Sequence, residues 1–433
     1  MAENENLNCT LTFAIVGGSI GGLSTAYFLA QAGHKTIVLE KQNKQYFLTQ
    51  KFTGLRIPPN LTLLLHEIPG MADLLTGRGT PSTGFTLHQG ETFELIGQLI
   101  YSEKIISDLG NVGYRIPYTD IWRHLYDLCT SHSVEFLFDF EVNAVVCGKT
   151  LTDQTKVLSS LKQEVVCDMV VAADGHNSFA REIIMNQPND IDTERDEIDI
   201  ENDNIGSSQF SELDSWDRLS IAPQLMQEDP ALSSLLESSW EGTDQYGLNI
   251  YYSDKNHISY DAGWDPEKLD SISVKEISSI EREPRSQNPV NLSSYTDVTN
   301  HLVLIGDAVH AALVNGLYNT ALAVEDAFVL GFLFSKLKSV AQIPNLLTGY
   351  NDIRKARTRM IREVQLGIFH TLSLPPGPQQ DARNQAFGQT LHQDDVNDEI
   401  LAQLWNHHIS TCSYNAKDAV EEWWHNWGTF YRE

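Results

Sequence analysis

Between Thr12 and Glu40 the chain reads TFAIVGGSIGGLSTAYFLAQAGHKTIVLE. Gly17, Gly18, Gly21 and Gly22 follow in quick succession, with Ser19 where a G-x-G-x-x-G pattern has its middle glycine. Glycines let a backbone approach a pyrophosphate closely, and a helix starting there presents N–H groups and about half a positive charge. Glu40 stands at the distance where an acid can accept from a ribose diol. The chemistry this points to is dinucleotide binding. A tight turn in some other α/β protein is the competing reading, and the strand before the turn and the acid after it argue against it. A side chain as small as that of Ser19 keeps phosphate contact at a slightly longer approach.

Positioning those residues requires a strand, a turn, a helix and a second strand. The apolar run Phe13 to Val16 has the length and β-branched content of a buried parallel strand. Leu23, Ala26, Tyr27, Ala30 and Gln31 recur at helical spacing until Gly33 stops them. Lys35 to Leu39 then reads as the second strand, completing a unit of the dinucleotide-binding type.

A chain of 433 residues is long enough for a large core and two domains. The charged fraction of 20% and hydrophobic fraction of 41% are ordinary for a soluble globular protein. A net charge of -28 argues against nucleic acid or anionic membrane surfaces as partners. The polar, acidic start MAENENLNCT is no signal peptide, and no run of apolar residues is long enough to span a membrane, so a cytoplasmic location is expected. Cys9, Cys129, Cys147, Cys167 and Cys412 are scattered and odd in number, which fits reduced thiols better than disulfides or a metal site. His407 and His408 are expected on a surface helix.

Further along, Gly54–Leu55–Arg56–Ile57–Pro58–Pro59–Asn60 forms an extended entry to a helix. Asp120, Ile121 and Leu125 mark another helix start. Asp174–Gly175–His176–Asn177–Ser178–Phe179–Ala180–Arg181 follows an apolar strand. A third apolar strand, Leu302 to Ile305, ends at Gly306–Asp307–Ala308–Val309–His310, and Glu325–Asp326–Ala327 lies in the apolar helix behind it. Tyr350 to Val364 reads as a basic amphipathic helix. Leu374–Pro375–Pro376–Gly377–Pro378 breaks the chain, and Tyr414–Asn415–Ala416 closes it. In this order the segments resemble the salicylate-hydroxylase-like flavoprotein monooxygenases, especially the fungal ones, over nearly the whole chain.

The resemblance implies an α/β fold: a Rossmann-type FAD-binding domain in discontinuous pieces, a mixed or antiparallel sheet covering the substrate, and a helical C-terminal part. The expected pieces are 10–75, 113–185 and 299–345 for FAD, 76–112 as a substrate-covering segment, 186–217 as an acidic mobile loop, 218–298 as the substrate-domain sheet and 346–433 as C-terminal helices. It also implies Gly17, Ser19, Gly22, Glu40, Gly54, Asp174, Arg181, Gly306 and Asp307 as the FAD-binding set, with NADH or NADPH as reductant. In that scheme Asp174 and Ser178 hold the turn beside the pyrophosphate, Arg181 supplies charge for phosphates, and Asp307 bonds the ribitol chain. The chain departs from the pattern at Phe52 and Thr53, at Tyr118 in the place of a cofactor-contacting arginine, and at Leu317 and Asn319 in the place of glycines. Arg115 or Arg123 could substitute for that arginine.

Val134 to Val146 and Glu164 to Ala173 read as strands around a turn at 148–154. The hairpin pattern from Asp244 to Trp264 turns at 253–256, and Tyr251, Tyr260, Trp264 and Leu317 are candidate pocket residues, with plain core packing the competing reading of the aromatics. Two enzyme functions compete. The first is an FAD-dependent monooxygenase that hydroxylates or epoxidises a small hydrophobic or aromatic secondary-metabolite intermediate. The second, suggested by the altered flavin contacts, is a flavin-free enzyme on the same fold that cyclises or isomerises such an intermediate by holding a reactive conformer, as in a Diels-Alder cycloaddition. A catalytically inactive binding protein is the third reading, and no residue supports it specifically. No side chain is identified as a general base.

Overall fold

The computed structural model describes residues 9–49, 54–82, 84–89, 95–101, 103–187, 216–219, 250–253, 257–260, 292–310, 317–372, 374, 377–391 and 408–428. Its centre is a parallel sheet made of β1 (Thr12–Val16), β2 (Lys35–Leu39), β8 (Glu135–Leu137), β12 (Met169–Ala172) and β16 (Leu302–Leu304), in the order β16-β12-β1-β2-β8. The inner strands are apolar along their whole length because helices cover both faces. Phe13, Ala14, Ile15, Val170, Val171, Leu302 and Val303 are fully enclosed. Helix α1 (Ile20–Gln31) lies on this sheet against α9 (Asn319–Phe334), both nearly apolar all round and buried accordingly.

A second sheet is antiparallel and draws on distant parts of the chain. Strands β5 (Gly84–Gln89) and β6 (Leu95–Ile100) join β13 (Trp216–Leu219), β14 (Ile250–Ser253) and β15 (His257–Tyr260) in the order β13-β14-β15-β5-β6. The segments 76–112 and 218–298 thus contribute to one sheet, whose outermost strand already starts at Trp216. The expected hairpin is present, with Ser253 opposite His257. Its register sets Tyr251 against Ser259 and Tyr260 against Ile250. Successive positions alternate across a sheet, so the two tyrosine positions fall on opposite faces and one pocket wall holds at most one of them. Trp264, Phe52, Thr53 and all but the ends of the acidic 186–217 segment lie outside the described residues.

Among the described residues there are also two smaller three-stranded sheets: β3 (Gly54–Ile57), β7 (Tyr114–Pro117) and β4 (Thr80–Pro81), and β9 (Val142–Val146), β10 (Thr155–Ser159) and β11 (Glu164–Cys167). The stretch read as one strand from Val134 to Val146 is two, interrupted where Asp139 adopts φ 57°. The stretch from Glu164 to Ala173 is likewise split at Asp168, whose carboxylate accepts the Thr12 N–H at 2.7 Å. The turn expected at 148–154 is present, and β10 follows it, in the interval before Glu164 to which the sequence reading gave no element.

On the C-terminal side, α10 (Ile343–Leu372) ends before the proline-rich break and α11 (Pro378–Gly388) starts after it. Helix α12 (Ala416–Asn426) is capped by Asn415, whose side chain accepts the Lys417 N–H at 3.0 Å. Helix α10 divides its basic residues, with Arg359 exposed and Arg354 and Arg357 turned inward at 0% and 3% exposure. His407 lies outside the described residues; His408 is on a helix with exposed positions, as expected, but its ring stacks on Tyr101, hydrogen-bonds the Tyr101 hydroxyl at 2.9 Å, and is pushed down to about 4 by burial. Among the described residues, no helix is long and apolar enough to cross a membrane.

Candidate functional site

The carboxyl ends of four neighbouring parallel strands carry the predicted residues in a row. Glu40 follows β2, Gly17 follows β1, Asp174 follows β12, and Gly306 and Asp307 follow β16. Three strand spacings separate the ends of that row, about 14 Å, which is the scale of an extended dinucleotide. Ligands of open α/β sheets bind along this edge.

The turn at the centre leaves no room for larger residues. Gly17 has φ +107°, and a Cβ there would sit 2.3 Å from the Ala173 carbonyl oxygen. A Cβ on Gly22 would fall 1.9 Å from the Gly17 carbonyl oxygen. The loop is also pinned from both sides. Glu40, 6% exposed, accepts the Gly18 N–H at 2.6 Å through one oxygen and the Gln42 N–H at 2.7 Å through the other. A carboxylate offers about four acceptor positions, so two remain for a ribose diol. From the opposite side the buried Trp122 indole donates to the Gly18 carbonyl at 2.8 Å.

Trp122 belongs to α6 (Tyr118–Ser131), and Tyr118 stands one turn before it on the same helical face. The Tyr118 hydroxyl lies 2.8 Å from Ser19 Oγ. Ser19 is the N-cap of α1 yet makes no capping bond to its own helix. Two positions at which the chain departs from its resembled family therefore touch each other. Burial raises the Tyr118 phenol well above its ordinary value, so the hydroxyl stays neutral.

At the next strand, Asp174 Oδ2 accepts the Ala180 N–H at 3.3 Å and Ser178 caps α7 (Phe179–Met185) by accepting the Arg181 N–H at 3.0 Å. These bonds hold the turn closed. Asp174 Oδ1 and His176 Nε2, in the same turn, are buried without a hydrogen-bond partner. Burial raises the Asp174 carboxyl, against the opposing bonds from Ser178 and Ala180. Arg181 has a structural task that the sequence did not show. Its guanidinium donates to the carbonyls of Ala308, Asp307 and His176 at 2.6, 2.9 and 3.0 Å, bolting the β12 turn to the β16 turn. Burial also raises the half-buried Asp307 carboxyl, which faces the pull of His176, His310 and Arg181. Gly54 lies on β3.

Leu317, half-buried, packs against Leu109, Tyr318, Leu322, Ile361 and Cys412, so its side chain has a home among protein groups. Behind the row sits a buried ionic network. Asp326 accepts from Arg354 Nε at 2.6 Å, from the Gly306 N–H at 2.8 Å and bonds His310 Nε2 at 2.7 Å. Glu325 pairs with Arg354 at 2.9 Å and Arg357 at 3.2 Å, and accepts from Asn60 at 2.8 Å. Sequence reasoning noticed the two acids and the basic helix separately and missed their pairing. The available signal was two acids inside an otherwise apolar helix, which must find cations. It also missed Trp122, which the i, i+4 spacing from Tyr118 could have revealed.

The donor set suits FAD: a glycine cradle at a helix N-terminus, an acid with spare acceptor positions, and unsatisfied buried polar atoms along one edge. Comparison with known proteins agrees. A family model described as FAD binding domain matches residues 10–364. The FAD-dependent monooxygenase OpS4 of Beauveria bassiana (strain ARSEF 2860) is 22% identical over 425 residues, covering 91% of this chain and 92% of that protein. The crystal structure of CtdE in complex with FAD and a substrate superposes with a TM-score of 0.63 at 15% identity, covering 98% of this chain and all of CtdE. The Diels-Alderase PyrE3 shares the fold at a TM-score of 0.56 and 17% identity, over 93% of this chain and 80% of PyrE3. The chain belongs to the FAD binding domain family and is an enzyme whose cofactor is FAD.

Proposed function

We propose that this protein is an FAD-dependent monooxygenase that hydroxylates or epoxidises a small hydrophobic or aromatic intermediate of secondary metabolism, with NADH or NADPH as reductant. The observation that carries this reading is the row Glu40, Gly17, Asp174 and Asp307 along four adjacent strand ends. Bound FAD would supply the redox and oxygen chemistry, and the protein would bind, orient and exclude water. Glu40 would accept from the adenosine ribose. The Gly17 to Gly22 turn would seat the pyrophosphate. Asp307, at the start of the short helix α8 (Asp307–His310), would hold the ribitol chain. The antiparallel sheet of β5, β6 and β13 to β15 would roof the substrate. The packing of Leu317 on its own hydrophobic cluster supports a flavin site over a blocked one.

The test is the absorbance spectrum of the purified protein, followed by turnover with and without O2 and NAD(P)H. A bound flavin band and substrate-dependent NAD(P)H consumption are expected. Colourless protein that converts its substrate anaerobically, without reductant, would replace this reading with the cyclase or isomerase one.

A further inference from the structure

We propose that Tyr118 and Ser19 form an uncharged hydrogen-bonding clamp for the pyrophosphate of the dinucleotide, doing the work that a cation performs in related sites. The inference rests on the FAD reading above and assigns roles to two residues particular to this chain.

The geometry is specific. Ser19 is exposed at the N-terminal pole of α1, beside the glycines that admit a backbone-close ligand. Its hydroxyl is turned to Tyr118 at 2.8 Å in place of capping its own helix. The Ile20 N–H, at the first turn of α1, favours the Tyr118 hydroxyl oxygen electrostatically. Two hydroxyls and a helix N-terminus thus meet at one point, held there because Trp122, one turn along α6, is fastened to Gly18. Hydroxyls both donate and accept, so the pair can turn its hydrogens towards phosphate oxygens when these arrive.

Charge accounting gives the clamp its character. The carboxylate of Glu40 borders the loop at Gly18, and the guanidinium of Arg181, one strand away, spends its Nε and Nη2 donors on three carbonyls. Tyr118 brings no charge where arginine would bring one. A pyrophosphate held this way depends on dipoles and hydroxyls, whose strength changes little with salt, whereas an exposed ion pair is screened.

The experiment is titration of the apoprotein with FAD and with ADP, which carries the diphosphate without the flavin, at 50 and 500 mM NaCl. Y118F and S19A are each expected to weaken both ligands by about three- to tenfold, the loss of one hydrogen bond, with the melting temperature of the apoprotein within about 2 °C of wild type. Y118R is expected to bind FAD with a Kd that rises at least about fivefold between the two salt concentrations, against about twofold or less for wild type. Wild-type affinity in both Y118F and S19A, or a fall in affinity that follows a fall in apoprotein stability, would overturn the clamp while leaving the FAD reading in place. Failure of wild type to bind either ligand would overturn both.

Discussion

Two polar regions lie back to back in this molecule and are built on opposite principles. At the glycine turn, where a doubly charged pyrophosphate would sit, the chain offers hydroxyls, N–H groups and a carboxylate. Behind it, where no ligand phosphate is called for, four charged side chains are buried together: Glu325, Asp326, Arg354 and Arg357. Arg354 and Arg357 have gone into locking α9 to α10, and the clamp proposed at the glycine turn relies on dipoles. The lesson is that arginine count or a basic helix says little about ligand charge until the pairing is known. Buried arginines must meet acids of their own chain first.

The largest test of this contrast is to break the lock. Arg354→Met leaves Asp326 and Glu325 short of a partner in a fully buried setting, and a loss of about 3–5 kcal/mol is expected in denaturant unfolding. A loss below about 1 kcal/mol would mean that the network is not an essential fastening. Trp122→Phe tests the other region. It strips the Gly18 carbonyl of its indole donor, with an expected cost of about 1–3 kcal/mol and a weaker FAD complex in the same titration.

Mild acid separates the two kinds of polar group. Burial works to raise the Asp326 carboxyl, but His310, Arg354 and the Gly306 N–H outweigh it and hold it below the ordinary range. Its stabilisation is therefore complete above the unfolded value near 4 and is lost only as pH falls further. Burial lowers His408 to about 4 and lowers His34 as well. A histidine with a depressed folded value stabilises above its unfolded value of about 6.5 and loses that contribution as pH falls towards the folded one. Between pH 6.5 and 4.5 the melting temperature should fall through His408 and His34 and not through Asp326. H408Q should flatten that decline by about 2–4 °C. An unchanged decline would assign it elsewhere. The smallest effect is expected at the exposed Lys417–Glu67 pair, whose side chains are 41% and 43% accessible. Lys417→Ala should cost no more than about 1 kcal/mol.

The first strand, turn, helix and second strand were fully legible because each residue choice there agrees with its neighbours. Phe13 to Val16, the crowded glycines, Gly33 and Glu40 all encode the same local geometry. The hairpin around 253–256 was legible for the same reason. What stayed hidden depends on contacts far apart in the chain. Arg181 read as a phosphate ligand because a guanidinium fits a phosphate, and only the fold brings it the carbonyls of Ala308 and Asp307. Asp139 and Asp168 end strands by sending the chain to a different sheet, a decision set by tertiary pairing. Tyr118 read as a lost contact until its distance to Ser19 turned two departures into one.

The arrangement of the parallel sheet also orders events in time. Strand β12 pairs with β16, yet about 130 residues separate them in the chain, including three strands of the antiparallel sheet. At a synthesis rate of about 5–20 residues per second, the partner of β12 emerges roughly 6–26 s after β12 itself. Through that interval Val170 and Val171 present an unpaired, wholly apolar strand edge. The nascent chain is thus most vulnerable to association just before Leu302 appears, and a chaperone acting on it would be needed for that window above all others.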